Sequence, residues 1–215
     1  MEEREGVIKF SLQHTTLAEP LHSDVMDDLK VWRDLARRLA LLGQDPQRYQ
    51  GLGYGNISAR ETGAQFLISA SQTSGVMDSD DTTFARVLSA DIKHNRIVSE
   101  GVLPPSSESM THAAIYQCSD QVNWVVHSHC PEIWTQSDHL ALDYTDASIP
   151  YGTPEMAYAV QTLFRKMASP EQGIFVMKGH QDGVVSYGRT AELAMDIMLT
   201  TLAKAMFHSV SVGGA

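Results

Sequence analysis

Apolar residues recur along this chain with two periods, and the switches between them mark its elements. From Ser23, the residues Leu29, Trp32, Ala36, Leu39 and Leu42 fall at three- and four-residue steps, which predicts a helix stopped by Gly43. The residues before Ser23 have weak periodicity, so 1–22 reads as an N-terminal arm or irregular segment ahead of a domain spanning 23–215. Gln50 to Arg60 is a Gly-rich loop entering a short strand, and Gln65 to Ser71 reads as a second strand. Val87 to Ile92 and Arg96 to Glu100 flank His94-Asn95 as the arms of a hairpin. Pro104-Pro105-Ser106-Ser107 introduces a helix from Glu108 to about Cys118, with Pro ahead, Ser at the cap and Glu in the first turn.

Val122 to His129 alternates as a strand, and a helix follows Pro154 to about Met167. Ile174 to Lys178 and Val184 to Tyr187 are strands around a turn at Asp182-Gly183. Thr190 caps a last helix with Leu193, Ile197, Thr201 and Ala205 on one side. Strands in the middle with helices before, between and after predict a single layered α/β domain with antiparallel pairing in its sheet. The order of the strands is not encoded in these patterns.

Composition narrows the function. Of 215 residues, 43% are hydrophobic and 20% charged, which is ordinary globular usage. The net charge of −10 argues against a nucleic-acid partner, which would need clustered basic residues. It also means that an anionic substrate must be attracted by local devices rather than by the field of the whole molecule. Two cysteines, Cys118 and Cys130, fit a reducing compartment. The charged start MEEREGVIKF lacks the apolar core of a signal peptide, and no apolar run approaches the ~18 residues of a membrane span. A cytoplasmic protein with no membrane partner is the expectation.

The strongest chemical signal is His127-Ser128-His129 at the end of an apolar strand. Residues two apart on a strand project from one face about 7 Å apart at the backbone, so both imidazoles can converge on one divalent ion. His180, just past another strand and between glycine-containing neighbours, is a third candidate ligand. Three histidines with an open position is a catalytic zinc pattern, whereas structural zinc sites are closed and often thiolate-rich. Cys130 adjoins the pair but points to the opposite face, as a small buried residue.

Three hydroxyl- or amide-bearing loops, at Gly55-Asn56, Gln72-Thr73-Ser74-Gly75 and Pro105-Ser106-Ser107-Glu108, are each ordinary turns or caps alone. Together they form a candidate anion cradle. Glu108 either complements the helix dipole or serves as a general base beside a metal. His112, four residues on, shares its helix face, while His14, His22, His94, His139 and His208 have no partner spacing.

In this order the motifs resemble the class II aldolase/adducin family. The matching pieces are Gly55-Asn56-Ile57-Ser58, Gln72-Thr73-Ser74-Gly75, Pro105-Ser106-Ser107-Glu108, Val126-His127-Ser128-His129 and the late His180, over roughly Leu29 to Phe207. The resemblance implies a three-layer α/β/α domain on a mainly antiparallel, mixed sheet. It implies that His127, His129 and His180 hold a divalent metal, Zn2+ with Mn2+ or Fe2+ as alternatives, with Glu108 as acid/base residue and occasional further ligand. Gly55, Asn56, Thr73, Ser74, Gly75, Ser106 and Ser107 would surround a substrate phosphate. A homotetramer with sites at its interfaces is implied too, and Tyr144 falls near the stretch that supplies a proton-donating tyrosine.

The chain departs from the family pattern in two places. The third-histidine segment, usually Asn-His-Gly, reads Gly179-His180-Gln181-Asp182-Gly183, and the Ser69–Gly75 loop is lengthened. Epimerases of the family carry Asp where Glu108 stands, and its dehydratases lack the Ser-Ser-Glu triplet. The expected activity is therefore cleavage of a phosphorylated ketose into dihydroxyacetone phosphate or a close relative plus an aldehyde, through a metal-stabilised enediolate. The alternatives are a decarboxylase, epimerase, dehydratase or iron oxygenase on the same scaffold, or a non-catalytic adducin-like binding module.

Overall fold

Alternation along the middle strands assigns their side chains to two layers. The computed structural model describes residues 6–167 and 169–212, with side chains to residue 208; residues 1–5 of the expected arm and 213–215 at the domain's end lie outside the described residues. The elements in chain order are β1 (Ser11–Thr16), α1 (Met26–Arg38), β2 (Gly43–Gln44), β3 (Gly53–Tyr54), β4 (Asn56–Thr62), β5 (Gln65–Ser69), β6 (Phe84–Asp91) and β7 (Arg96–Gly101). Then come α2 (Ser109–Tyr116), β8 (Trp124–His129), α3 (Pro131–Gln136), β9 (Asp143–Thr145), α4 (Pro154–Phe164), β10 (Gln172–Met177), β11 (Gly183–Gly188) and α5 (Ala191–Val212).

Among the described residues, nine strands form one sheet in the order β1-β7-β6-β5-β4-β8-β11-β10-β9, and β2 and β3 pair separately. Only the two edge pairs, β1 with β7 and β9 with β10, run parallel; the pairs between them are antiparallel. On one face Phe66, Ile68, Val125, Phe175 and Val185 pack with Met110, Ala114, Met156 and Val160 of α2 and α4. On the other, Ile57, Leu67, Val126, Val176 and Val184 pack with Leu29, Ile133, Ala194 and Met198 of α1, α3 and α5. The result is a single three-layer α/β/α domain on a mixed, mostly antiparallel sheet.

The expected hairpin is the β6–β7 pair, and Thr190 caps α5 by accepting the Leu193 N–H at 3.3 Å. Elements β1 and α1 differ from the expectation. Part of the stretch read as an arm is strand β1, in parallel register with β7, with exposed side chains alternating along an edge; its polar composition hid it. Helix α1 ends before Gly43: Ala40 takes φ +56°, with Ala40 N–H bonding Arg37 O and Leu41 N–H bonding Ala36 O, a left-handed termination that usually recruits glycine. Its buried stripe is Met26, Leu29, Arg33 and Ala36, so an arginine takes the place assigned to Trp32 or Leu39, and Leu39 is exposed.

Candidate metal centre

Strand register assembles the centre. On β8, His127 and His129 project on the α2/α4 side with Val125, while Val126 and Ser128 face α5, where the Ser128 hydroxyl donates to Met198 Sδ at 3.4 Å. Pairing sets His127 between Asn56 of β4 and Val185 of β11, and His129 opposite Gly183. His180 enters from the β10–β11 turn, its N–H bonded to Met177 O and its O accepting from Gly183 N, both at 3.0 Å. Gly179 permits this turn because a Cβ there would lie 1.9 Å from the Ile149 carbonyl oxygen.

The three side chains are buried, and their ligand atoms lie within 4.8 Å of one another. Nitrogens bonded to one ion at about 2.0–2.1 Å are at most about 4.2 Å apart, so small ring rotations bring all three onto one ion. Neither ring nitrogen of His127 has a hydrogen-bond partner of standard geometry among the described residues. Burial, and then the neighbouring His180, hold the pKa values of His127 and His129 well below the usual imidazole range. Neutral imidazole is the form that binds a metal, so this donor set fits a divalent cation. Glu108 adjoins it: Oε1 is 3.7 Å from His180 Nδ1, and Oε2 accepts from the Thr111 hydroxyl at 2.8 Å.

A cavity beside the triad is lined by Gly55, Asn56, Gln72, Ser74, Ser106 and Ser107 among others. Its walls come from distant stretches stitched together by backbone bonds, Ser71 N–H to Pro104 O (2.8 Å) and Ser106 N–H to Ser69 O (3.1 Å). Gly55 has φ +71°, and a Cβ there would meet Leu42 Cβ at 2.6 Å, so glycine is required by both space and backbone. Ser106 Oγ accepts from Glu108 N at 3.2 Å, which leaves its own proton for a ligand. The Ser74 hydroxyl donates instead to Gly55 O at 2.8 Å. Glu108 stands at the cap of α2, one residue before its first turn.

Three sequence-selected residues lie elsewhere. The Thr73 hydroxyl is directed at Ala70 O (2.7 Å), and Gly75 sits against Gln44 outside the cavity lining. Tyr144 is 50% exposed on the edge strand β9, beside Lys178, in register with Val176, whose side chain faces the layer opposite the triad. Cys130 is buried on the face opposite the two histidines, and burial pushes its thiol up to about 12.

Aromatic rings outside the sequence motifs also meet the triad. Tyr151 stacks on His180 (centroids 4.4 Å apart, planes at 19°) and Tyr49 meets His129 edge-on at 4.5 Å. The Tyr49 hydroxyl accepts from Arg48 (2.6 Å) and donates to Asp182 Oδ2 (2.7 Å). Asp182 O in turn accepts from Cys130 N at 2.8 Å, tying together the turns that carry His129 and His180. His112 is fully buried, bonded through Nδ1 to Ser58 Oγ at 2.7 Å, and burial pushes its pKa down to about 3. Thr111, three residues after Glu108 on a helix, was findable from spacing; the tyrosines were not, because no periodicity links them to the histidines.

Fold and triad together define an α/β protein with a histidine cluster suited to a divalent metal and a buried carboxylate beside it. Residues 45–206 match the Class II Aldolase and Adducin N-terminal domain family, and the chain belongs to it. Among curated proteins none matches it in sequence. Solved structures that resemble it include L-fuculose-1-phosphate aldolase from Thermus thermophilus, at 18% identity, covering 89% of this chain and 97% of that one, with a TM-score of 0.63. A sugar-phosphate aldolase from Thermotoga maritima (15% identity, 88% and 96% covered, TM-score 0.63) is similar, as is an aldolase II superfamily protein from Pseudomonas syringae (17%, 90% and 79%, TM-score 0.61). At these identities the likeness is one of fold. No helix among the described residues is long and apolar enough to cross a membrane.

Proposed function

We propose that this protein is a zinc-dependent aldolase that cleaves a phosphorylated ketose into dihydroxyacetone phosphate, or a close relative, and an aldehyde. The observation that carries the reading is the buried His127–His129–His180 cluster with Glu108 Oε1 beside it. A divalent ion bound there supplies Lewis acidity to adjacent substrate oxygens, and an all-imidazole set suits zinc ahead of manganese.

The chain's own groups do the rest. Thr111 holds one oxygen of Glu108, so the other, Oε1, faces the triad and takes or returns the substrate proton. Ser106, Ser107 and Asn56 line the cavity that would hold the phosphate and so fix the reacting bond relative to Oε1. Burial of the triad and Glu108 excludes bulk water. Tyr144, exposed on an edge strand, would donate a proton only to the site of a neighbouring copy, in the homotetramer that the resemblance implies. Free Cys118 and Cys130 support a cytoplasmic location.

The test is elemental analysis of purified protein together with a screen of ketose phosphates for dihydroxyacetone phosphate release. About one zinc per chain, with release from at least one ketose, is expected, and His127→Ala should lose metal and activity together. Metal without release from any ketose would refute the aldolase reading; a His127→Ala protein keeping both would refute the triad.

A further inference from the structure

The cavity beside the triad has no lysine or arginine in its lining, although the proposed substrate is a phosphate monoester and the chain carries a net charge of −10. Two arginines lie one layer behind it. Arg33, in the buried stripe of α1, is fully enclosed: its guanidinium donates to Thr73 O, to Val76 O at 2.8 Å and to Asp34 Oδ1 at 2.9 Å. One helical turn on, Arg37 donates to Gly75 O at 3.1 Å and has no carboxylate partner among the described residues. The carbonyls of residues 73, 75 and 76 are therefore all drawn toward α1.

This arrangement orients the loop as well as charging it. In a trans peptide the N–H points opposite to the C=O, so drawing Thr73 O to Arg33 aims the Ser74 N–H away from α1. Ser74 lines the cavity, and its N–H has no backbone partner among the described residues. Asn56, 5% exposed, lines the same cavity. The Asp34 carboxylate balances the Arg33 charge at 2.9 Å, so Arg33 acts on the loop through its two carbonyl bonds, while Arg37 leaves positive potential beneath it.

We propose that Arg33 and Arg37 are positioning residues that hold loop 73–76 with the Ser74 N–H outward, and that Arg37 adds the positive potential with which this acidic protein retains a substrate phosphate. The proposal rests on the reading of the cavity as the phosphate pocket. They act through the loop, not by contact with the substrate.

The probe is inorganic phosphate, titrated calorimetrically into zinc-loaded protein. Arg33→Gln should weaken phosphate binding about tenfold or more and Arg37→Gln about three- to tenfold, each with zinc content unchanged. Arg37→Lys, which keeps the charge, should recover binding to within about twofold of the parent. A role confined to packing would lower the melting temperature and leave phosphate affinity unmoved. Folded, zinc-loaded Arg33→Gln and Arg37→Gln proteins that bind phosphate like the parent would overturn the proposal, and if Arg33→Gln does not fold, Arg37→Gln and Arg37→Lys decide it. Failure of the parent itself to bind phosphate would instead remove the phosphate-pocket reading, and this proposal with it.

Discussion

Replacing Gly179 by alanine tests whether the β10–β11 turn places His180 by backbone crowding. The added Cβ would lie 1.9 Å from the Ile149 carbonyl oxygen and 2.8 Å from its carbon. Both obstacles are main chain, so no side-chain rotation relieves the contact, and the two segments must part by about 1 Å to restore a normal distance. Overpacking of this kind costs about 1–3 kcal/mol. For a chain of this length that is a fall in melting temperature of about 2–12 °C at about 2–4 °C per kcal/mol. The site should suffer more than the fold. The three ligand atoms lie within 4.8 Å of one another and must close to about 4.2 Å or less around one ion, so displacing His180 by ~1 Å exceeds what small ring rotations recover. Zinc affinity, measured by chelator competition alongside calorimetric melting, should fall at least tenfold. A Gly179→Ala protein with parental melting temperature and zinc affinity would refute this account of the turn.

Two further outcomes follow from buried groups. Burial holds His112 near pH 3 in the folded state, against an ordinary value of about 6.5, so acid protonates the unfolded chain first. At about 1.36 kcal/mol per pH unit, this one group should cost about 2 kcal/mol of stability between pH 6.5 and 5, and urea unfolding of His112→Gln at pH 7 and pH 5 should show a correspondingly flatter dependence; an unchanged slope would contradict it. Tyr49→Phe keeps the ring against His129 but removes the hydroxyl between Arg48 and Asp182, so denaturant titration should show a loss of about 1–2 kcal/mol and chelator competition a zinc affinity weakened less than tenfold. Parental values in both assays would mean the hydroxyl does not hold the two turns together.

Several parts of this protein were legible because they rest on local rules. Two histidines on one strand face need only the two-residue repeat, and the cap at Thr190 needs only a hydroxyl ahead of a helix. Strand β1 escaped because SLQHTT lies on a sheet edge with one face against solvent, where no apolar alternation is required. The role of Arg33 escaped because a helical stripe read for apolar residues passes over a buried arginine, whose place depends on carbonyls some forty residues away.

Sequence alone determined the ingredients: a layered α/β chain, the His127–His129 pair with His180 to follow, and Glu108 at the start of a helix. Tertiary structure decided which of them meet. Register sets Asn56 opposite His127, the bridge between Ala70 and Pro105 joins two loops into one cavity wall, and the sheet order leaves Tyr144 at an edge while Tyr49 and Tyr151 cover the triad. The physical reason is range. Periodicity and capping act within a few residues, whereas pairing between strands far apart in sequence is chosen by the burial of the whole sheet and leaves no local mark.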